Sequence, residues 1–353
     1  MFYLNKVAIV RHNGLFYGGT EKFLQIMAAK TSSLFDVDYY TTDLMRSEDR
    51  EDYLLDNSVN IIKFKLGYNY NRFPLKYFDF EWRDFWRRYN ERSYDVTQVT
   101  NFGWQEKPYN QFKSNVCEFT VFPPYVEFSG ISHHILNSEW LRQKWIKTGG
   151  SPEKSTAIPV PVEKTSTCNL RESLGIEKDT LVCGFHQRAD DNIFSPVQLE
   201  AYSRVENEFD TMMLILNGSK LYKDQANKLG IKHIKFIDYV EEVSPFLNTL
   251  DIYTHGRKDG ETYGMVLAEA MLHGLPVMSH LTPYYNAMRS VIKGGGVVVN
   301  NATQYSTILG MLLENPSLRN EYGRRARFIA EENYTYKVVI PKIEEVWRKV
   351  ANE

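Results

Sequence analysis

The stretch DGETYGMVLAEAMLHGLPV, residues 259–277, places two carboxylates, Glu261 and Glu269, at the two ends of an apolar run. Apart from Glu269, every residue from 265 to 272 is apolar, so apolar side chains cover all sides of the predicted helix. This pattern indicates a buried helix rather than an amphipathic one. A carboxylate inside such a helix is costly unless a partner donates hydrogen bonds to it. Glu269 therefore requires a partner, either in the protein or in a ligand.

The start of this helix allows two interpretations of the two carboxylates. We expect the helix to begin near Tyr263 or Gly264 and to stop at Gly274. The N–H groups of its first turn suit a phosphate, and a carboxylate can accept hydrogen bonds from two neighbouring ribose hydroxyls. Glu261 would then accept from a sugar attached to the phosphate. Alternatively, Glu261 only complements the helix dipole and Glu269 pairs with an Arg or Lys. Spacing alone does not separate the two interpretations.

Length and composition limit the class of protein. The chain has 353 residues, enough for two domains, and its hydrophobic content of 43% with 24% charged residues is typical of a soluble globular protein. A net charge of -2 gives no general attraction to nucleic acid or to anionic membranes. No apolar run approaches the length of a membrane span. The three cysteines, Cys117, Cys168 and Cys183, have no metal-ligand spacing and are expected to be reduced thiols of a cytoplasmic protein.

Short apolar runs alternate with longer helical patterns, which predicts parallel sheets with crossover helices. The first series of strands is expected at 6–10, 35–42, 60–64, 95–100, 116–122 and 133–138. After a linker the pattern restarts, with strands expected at 180–185, 212–218, 234–238, 251–255, 275–280 and 295–299. Two such series predict an α/β fold of two Rossmann-like domains that face each other across a cleft.

The linker sets the predicted domain boundaries. Pro159 and Pro161 fix an extended backbone at its start. We place an N-terminal domain at 1–162 and a second domain at 163–334. Residues 335–353 are predicted to form an amphipathic helix that crosses back to the N-terminal domain.

Several segments together resemble one protein family. GETYGMVLAEAMLHGLPV (260–277) looks like the E-x(7)-E signature of the retaining glycosyltransferases of family 4, also called glycosyl transferases group 1, which have the GT-B fold. GGTEKFLQIMAA (18–29) resembles the first glycine loop and helix of that family, and ILNSEWLRQKW (135–145) resembles the strand and helix that close its N-terminal domain. The segment 294–347 resembles the usual family ending. The resemblance covers most of the chain and is strongest from about residue 234 onward.

The resemblance implies roles for the residues around the predicted helix. Glu261 would contact hydroxyls of the donor sugar, and Glu269 would contact the ribose of the nucleotide. The backbone N–H groups of Tyr263, Gly264 and Met265 would lie at the diphosphate.

Further donor-binding residues are implied by two glycine turns. Gly18 and Gly19 would let the N-terminal domain approach the donor, because a Cβ atom there would crowd the phosphate. A tight strand-to-helix turn explains Gly18 equally well. Asn217 and Gly218 resemble the glycine turn beside the nucleotide base, and Tyr239 lies in a segment that resembles the loop reading the base. A simple turn is again the alternative.

The resemblance also implies a cationic site, which this chain carries only in part. Arg188 corresponds to the family's diphosphate-binding arginine, whose charge would offset the charge that builds on the leaving diphosphate. The family usually has a lysine five or six residues further on, where this chain has Ile193 and Phe194. Three cations are candidates to replace it: Lys220, Arg257 and Lys258.

A histidine that the family often has in its N-terminal domain is missing as well. Members carry it near the segment that is here 117–128, which contains no histidine. The nearest candidates are His12, just after the first strand, and the pair His133 and His134. We expect the pair to belong to a strand rather than to act on a substrate.

The segment KYFDFEWRDFWRRYNER, residues 76–92, combines aromatic and basic residues. Five of its seven aromatic residues lie on one helical face: Phe78, Trp82, Phe85, Trp86 and Tyr89. Five basic and four acidic residues almost cancel, which disfavours strong attraction to anionic lipid. A helix that faces the core is favoured over an acceptor or membrane surface.

The resemblance implies a retaining hexosyltransferase. It would move a sugar from a UDP- or GDP-sugar to a hydroxyl of a glycan, a lipid or a small molecule. We expect no nucleic acid partner, no cofactor and no metal ion, at most weak peripheral membrane contact, and a nucleotide sugar as substrate. One alternative is epimerisation or hydrolysis of a nucleotide sugar, against which the glutamate pair argues. Another is a catalytically inactive nucleotide-sugar-binding protein of the same fold, which the missing lysine and histidine favour.

Overall fold

The computed structural model describes residues 5–16, 18–68, 80–101, 111–113, 115–123 and 130–352. The chain forms two compact units. The first unit comprises Met1–Val160 and Val339–Glu353, and the second comprises Pro161–Val338. The predicted domain boundaries lie at residues 162 and 334, within a few residues of these divisions.

The first unit is built on a parallel sheet. Its strands are β1 (Lys6–Val10), β2 (Asp36–Thr41), β3 (Asn60–Lys63), β6 (Val96–Asn101), β7 (Val116–Thr120), β8 (Ile131–Leu136) and β9 (Ser155–Ala157). They lie in the order β3-β2-β1-β6-β7-β8-β9, and neighbouring strands are parallel. A separate antiparallel pair consists of β4 (Gly67–Tyr68) and β5 (Phe80–Glu81). The helices of this part are α1 (Gly19–Thr31), α2 (Glu48–Asp56), α3 (Arg83–Arg88) and α4 (Glu139–Lys147). Residues 7–10 are fully buried, as expected for a parallel strand covered on both faces.

The second unit repeats this plan. Its main strands are β10 (Leu181–His186), β11 (Thr211–Leu216), β12 (Ile234–Ile237), β13 (Ile252–Thr254), β15 (Val277–His280) and β17 (Gly296–Val299). They lie in the order β12-β11-β10-β13-β15-β17 and are parallel throughout. Two further short strands, β14 (Gly260–Glu261) and β16 (Tyr285–Asn286), pair with each other. The helices are α5 (Val197–Tyr202), α6 (Lys220–Leu229), α7 (Val243–Leu247), α8 (Met265–Leu272), α9 (Met288–Ile292), α10 (Ala302–Glu314) and α11 (Pro316–Asn333).

The strand order of both sheets is that of a Rossmann-like fold. In each sheet the first strand lies in the middle, and the second and third strands extend to one side of it while the later ones extend to the other. The predicted α/β class with two Rossmann-like sheets is therefore confirmed.

The last helix, α12 (Tyr336–Ala351), begins in the second unit and from Val339 onward belongs to the first. Trp347 on this helix is fully buried, and its indole Nε1 donates to Gln98 Oε1 at 3.0 Å. Its ring also meets Phe35 edge to face at 5.4 Å. The amphipathic helix thus completes the core of the first unit.

The described part of the aromatic segment 76–92 faces the core. Phe85 is fully buried, and Trp82 and Tyr89 are nearly so, within a cluster that covers the first sheet. The prediction that these residues face the core is confirmed, but the helix is shorter than predicted, because α3 spans only Arg83–Arg88 and residues 80–81 belong to β5. Phe78 lies outside the described residues. In the part of the chain that the structure describes, no helix combines the length and the apolar character needed to cross a membrane.

Candidate functional site

The strand order of the second unit identifies where a ligand is expected. The order reverses between β10 and β13, and in open α/β sheets ligands bind outside the carboxyl ends of the strands at such a point. A histidine stands at each of these two ends, because His186 is the last residue of β10 and His255 directly follows β13. The loop from His255 leads to Glu261 and then into α8, which carries Glu269.

Glu261 is held by the short parallel ladder of β14 and β16. The Tyr285 N–H donates to the Asp259 carbonyl, and the Ala287 N–H donates to the Glu261 carbonyl, both at 3.0 Å. Gly260 has a φ of 73°, and a Cβ atom there would overlap the carbonyl oxygen of Tyr285. Only glycine fits this position, so the ladder fixes the backbone from which the Glu261 side chain projects.

Two cationic or polar side chains converge on the carboxylate of Glu261. Glu261 Oε1 lies 3.4 Å from His255 Nε2 and 3.6 Å from Arg257 Nη1. The other ring nitrogen of His255 is 2.8 Å from the hydroxyl of Ser279, a fully buried residue of β15. The imidazole is thereby held between a strand of the sheet and the carboxylate.

Helix α8 begins directly behind this loop. Gly264 is its N-cap residue and has a φ of 83°, which puts it in the left-handed region that favours glycine. The N–H groups of the first helical turn have no carbonyl four residues earlier to bond to, and they mark the positive end of the helix dipole. The helix start is therefore suited to an anion. Tyr263, just ahead of it, is buried with its ring 5.7 Å from that of Tyr334.

The predicted helix differs from the observed one at its ends and on one side. It spans Met265–Leu272 and therefore starts slightly later and ends earlier than expected. The prediction that it is buried on every side is wrong, because three residues are only partly buried: Met265, Val266 and Glu269. Residues three and four apart share a helix face, so this side is open at the helix start and Glu269 lies on it.

Glu269 has a histidine partner of its own. Its Oε2 lies 2.9 Å from His186 Nε2, and the two side chains are only 12% and 9% exposed. The Nδ1 of His186 lies 3.2 Å from the hydroxyl of Tyr253, on the neighbouring strand β13. Burial raises the pKa of Tyr253 well above its ordinary value of 10, and the charges of Glu269 and Glu261 act in the same direction.

The predicted diphosphate arginine lies at the surface of the same edge. Arg188 follows β10 by two residues, its side chain is 71% exposed, and it donates to Asp190 Oδ2 at 2.8 Å. At the position of the family's lysine, Ile193 is buried and the Phe194 ring packs 4.8 Å from that of Tyr222. These two residues serve packing, so neither supplies the positive charge of the family's lysine.

Among the three candidate replacements, Arg257 lies beside a predicted site residue. Its side chain is 21% exposed, and its guanidinium contacts Glu261 and donates two hydrogen bonds to Asp259, at 2.5 and 2.9 Å. Burial opposes its charge, but the carboxylates of Asp259 and Glu261 outweigh this effect and raise the pKa of Arg257. Lys258 is exposed, and its backbone N–H donates to the Ile193 carbonyl. Lys220 is exposed at the start of α6.

The two predicted glycines of the first unit differ in their surroundings. Gly18 is the N-cap residue of α1, and a Cβ atom there would overlap the carboxylate of Glu21. That carboxylate is held by the buried Arg11, whose Nε and Nη2 donate to it at 2.8 and 2.6 Å. Packing thus accounts for Gly18. A Cβ atom at Gly19 would meet no described residue within 4 Å, so packing among these residues does not explain it.

The residues predicted near the nucleotide base lie at two other strand ends. Asn217 follows β11 with a φ of 57°, and its N–H donates to the Ile237 carbonyl at 2.9 Å. A Cβ atom at Gly218 would come within 2.9 Å of the Phe236 ring, so this turn also has a packing reason for its glycine. Tyr239 lies beyond β12 with 76% of its surface exposed.

Of the three candidate histidines of the first unit, one lies in the turn after β1 and is partly buried, and two belong to a strand. His12 follows β1 and meets Trp82 edge to face at 5.3 Å; burial, aided by Arg11, lowers its pKa to about 3. His133 and His134 belong to β8, as expected. Burial lowers the pKa of His133 to about 4, and its Nε2 lies 2.8 Å from the Thr156 hydroxyl.

Sequence reasoning missed the two histidines that contact the glutamate pair. His186 and His255 carry no motif of their own; His186 directly follows the strand predicted at 180–185, and His255 is the last residue of the strand predicted at 251–255. The available signal was position, because a polar residue at the carboxyl end of a predicted parallel strand is placed at the ligand edge of the sheet.

Comparison with known proteins now places this unit in a family. The family model for "Glycosyl transferases group 1" matches residues 166–328. Residues 166–328 are a glycosyl transferases group 1 domain. The predicted resemblance is thus confirmed for the unit that carries the glutamate pair.

Similar proteins extend the comparison to the rest of the chain. The phosphatidyl-myo-inositol mannosyltransferase of Mycobacterium leprae is 30% identical over 161 residues, which is 44% of this chain and 42% of that protein. The chain therefore spans less than half the length of that curated relative. Among solved structures, Anabaena HepE in complex with UDP and glucose is 16% identical, covers 98% of this chain and 100% of its own, and gives a TM-score of 0.72. A Rickettsia africae glycosyltransferase, 13% identical with 99% of both chains covered, gives 0.76. The chain accordingly has the fold of GT-B glycosyltransferases.

Proposed function

We propose that the protein is a glycosyltransferase that moves a sugar from a UDP- or GDP-sugar to a hydroxyl acceptor and retains the anomeric configuration. The observation that carries this proposal is the run from Glu261 through the start of α8 to Glu269. It places two carboxylates on either side of a helix start suited to an anion, at the carboxyl edge of a Rossmann-like sheet. Sugar, diphosphate and ribose would bind there in that order.

Each of the two carboxylates would then act on a different part of the donor. Glu261 would accept hydrogen bonds from hydroxyls of the sugar, and Glu269 would accept from the ribose. The N–H groups of Gly264 and Met265 would donate to the diphosphate. Complexes of HepE with UDP and with UDP-glucose support a nucleotide sugar as the ligand of this fold.

Cleavage of the donor leaves negative charge on the diphosphate, and this charge must be stabilised in the transition state. We assign that task to Arg188 and Arg257 together with the positive end of α8, without a divalent cation or a cofactor. Arg257 takes the place of the family's lysine because its guanidinium lies 3.6 Å from Glu261, at the sugar end of the site. The acceptor would be a hydroxyl of a glycan, a lipid or a small molecule.

A thermal-shift series with UDP, GDP and ADP and their glucose and mannose derivatives tests donor binding. A ligand that binds only the folded state raises the melting temperature by mass action, so we expect a shift with one base and a further shift with one sugar. Absence of a shift with every nucleotide would overturn the proposal.

Turnover is tested by release of the free nucleotide in the presence of an acceptor mixture. Glu261→Ala should lower this release by about 10- to 100-fold, since a hydrogen bond between a charged group and a sugar hydroxyl contributes about 1.5–3 kcal/mol. Glu314→Ala, which removes an exposed carboxylate at the end of α10, is the matched control and should leave release unchanged. Equal turnover of the Glu261→Ala protein would remove this residue from the donor site.

The second candidate is a nucleotide-sugar-binding protein without catalytic activity. It is favoured by one observation, the packing of Ile193 and Phe194 at the place of the family's lysine. It predicts the same thermal shifts with no release of nucleotide under any acceptor condition.

A further inference from the structure

The side chain of His186 faces Glu269 because of the register of two neighbouring strands. Gly184 of β10 lies opposite Tyr253 of β13. Side chains two residues apart on a strand point to the same face, so His186 projects on the face that also carries the Tyr253 ring. The Tyr253 hydroxyl therefore contacts the His186 ring on the neighbouring strand, and the carboxylate of Glu269 contacts the same ring from α8.

The partners of the two ring nitrogens determine which nitrogen carries a hydrogen toward Glu269. A carboxylate only accepts hydrogen bonds, so Nε2, which lies 2.9 Å from Glu269 Oε2, carries a hydrogen and donates to it. The Tyr253 hydroxyl lies 3.2 Å from Nδ1 and donates to the His186 carbonyl at 3.1 Å. The His186 backbone N–H in turn donates to this hydroxyl at 3.4 Å. All of these contacts tie the tyrosine to this one histidine.

The burial of the pair makes this hydrogen bond effective. Only 9% of the His186 side chain and 12% of the Glu269 side chain are exposed. Water therefore competes weakly for the carboxylate, and a hydrogen bond in such surroundings is stronger than one in bulk solvent. A glutamate side chain has several rotatable bonds, and ordering it when a ligand arrives would cost conformational entropy. A carboxylate already held by the histidine has lost this freedom before the ligand binds.

We propose that His186, oriented by Tyr253, is a positioning residue that presets Glu269 to accept hydrogen bonds from the ribose hydroxyls of the nucleotide. This inference rests on the proposed function, since it assigns to Glu269 the ribose of the donor. It explains why a histidine ends β10 at the point where the strand order reverses. The selectivity of the protein for ribonucleotides over deoxyribonucleotides would depend on this residue.

The test measures the affinities for UDP and 2′-deoxy-UDP by titration calorimetry, with GDP and 2′-deoxy-GDP as the parallel pair. We expect the wild-type protein to bind the ribonucleotide of its base about tenfold more tightly than the deoxy form, as for loss of one hydrogen bond to a charged group. His186→Leu should bind the two forms about equally, because the carboxylate is no longer held toward the hydroxyls. His186→Gln keeps an N–H close to the position of Nε2 and should restore most of the tenfold ratio.

The matched control is His255→Leu, which removes the histidine beside Glu261 instead of the one beside Glu269. It should keep the ratio between ribonucleotide and deoxyribonucleotide, whatever it does to sugar binding. If His186→Leu does not fold, Tyr253→Phe serves as the second variant, and its ratio should fall toward one.

Three other outcomes have distinct meanings. A ratio in His186→Leu or Tyr253→Phe equal to that of the wild type would overturn the positioning role. If the wild-type protein bound ribonucleotide and deoxyribonucleotide equally, Glu269 would not bind the ribose hydroxyl. The positioning role of His186 would then be overturned, whereas nucleotide binding itself would stand. A wild-type protein that binds no nucleotide would overturn the proposed function itself.

Discussion

Both units contain a glutamate beside a histidine, but the pairs lie at different places in their sheets. In the first unit Glu118 of β7 is opposite His134 of β8, in the interior of the sheet, and both are fully buried with 3.3 Å between Oε2 and Nδ1. The His134 ring also packs 4.7 Å from that of Trp145. In the second unit the corresponding contact, His186 with Glu269, lies at the carboxyl end of β10 and is partly exposed.

This difference in position separates stability from function. A pair inside a sheet can meet only other protein groups, so its loss is felt as a loss of folding free energy. A pair at the carboxyl end of a strand lies where a Rossmann-like sheet binds its ligand, so its loss is felt as a loss of affinity. A contact between a glutamate and a histidine therefore serves stability in the first unit and ligand binding in the second. Variants of each pair can test this distinction.

The largest effect is expected for Glu118→Ala. Removing one partner of a fully buried ionisable pair should lower the free energy of unfolding by about 3 kcal/mol. Chemical denaturation checks this value. Nucleotide affinity measured well below the melting temperature should change less than about twofold, because the predicted donor residues other than Gly18 and Gly19 lie in the second unit. A large loss of affinity at unchanged stability would break the comparison.

Glu269→Gln should show the opposite pattern. The amide can still accept from His186 but lacks the charge that strengthens hydrogen bonds to ribose, so nucleotide affinity should fall by about 2 kcal/mol, roughly 30-fold. Calorimetric titration measures the affinity, and denaturation should show a change in stability below about 1 kcal/mol. If the variant lost stability but kept wild-type affinity, the pair of Glu269 and His186 would contribute to stability alone, as the pair of Glu118 and His134 does.

Arg257→Gln extends the comparison to the cation at the same edge of the second sheet. Loss of its charge should weaken UDP by about 1.4 kcal/mol, a tenfold change, but should leave uridine, which lacks phosphates, unaffected. Lys258→Gln alters the neighbouring exposed cation and is the matched control, expected to bind UDP as the wild type does. If the lysine variant lost affinity and the arginine variant did not, Lys258 would be the replacement for the family's lysine.

The smallest effect concerns the pH dependence contributed by a buried histidine of the first unit. Because burial lowers the pKa of His133 to about 4, the unfolded chain, with an ordinary pKa, binds the proton first as the pH falls. The stability contributed by the neutral ring is therefore complete above the unfolded pKa and is lost progressively as the pH falls; the loss amounts to about 1 kcal/mol at pH 6. His133→Gln should flatten this part of the stability curve in a denaturation series between pH 7 and pH 6. An unchanged slope would mean that His133 does not titrate differently on folding.

The sequence predicted the elements of the second unit better than the contacts between them. The strand at Leu181–His186 and the helix at Met265–Leu272 follow from apolar runs and the Gly274 stop signal, with errors of a few residues at the ends. The sequence did not predict the partly open side of α8. Met265 and Val266 are apolar, and their partial exposure depends on the tertiary packing around the helix, which an apolar pattern does not reveal.

Residues 186, 253 and 269 are remote in sequence, and their contact depends on the register of β10 against β13 and on where α8 packs. Neither quantity can be obtained from periodicity. Arg257 was one of three equal candidates for the same reason, because only the fold of the loop decides which cation lies beside Glu261.

The course of α12 has a consequence for synthesis on the ribosome. The second unit is one continuous stretch, whereas the first needs Trp347 and its neighbours, which emerge only after residue 338. Although domains generally fold in order from the N-terminus, here the unit that is translated first must complete its core last. A chimera that exchanges the second unit between relatives consequently needs two junctions, near residues 160 and 338, rather than one.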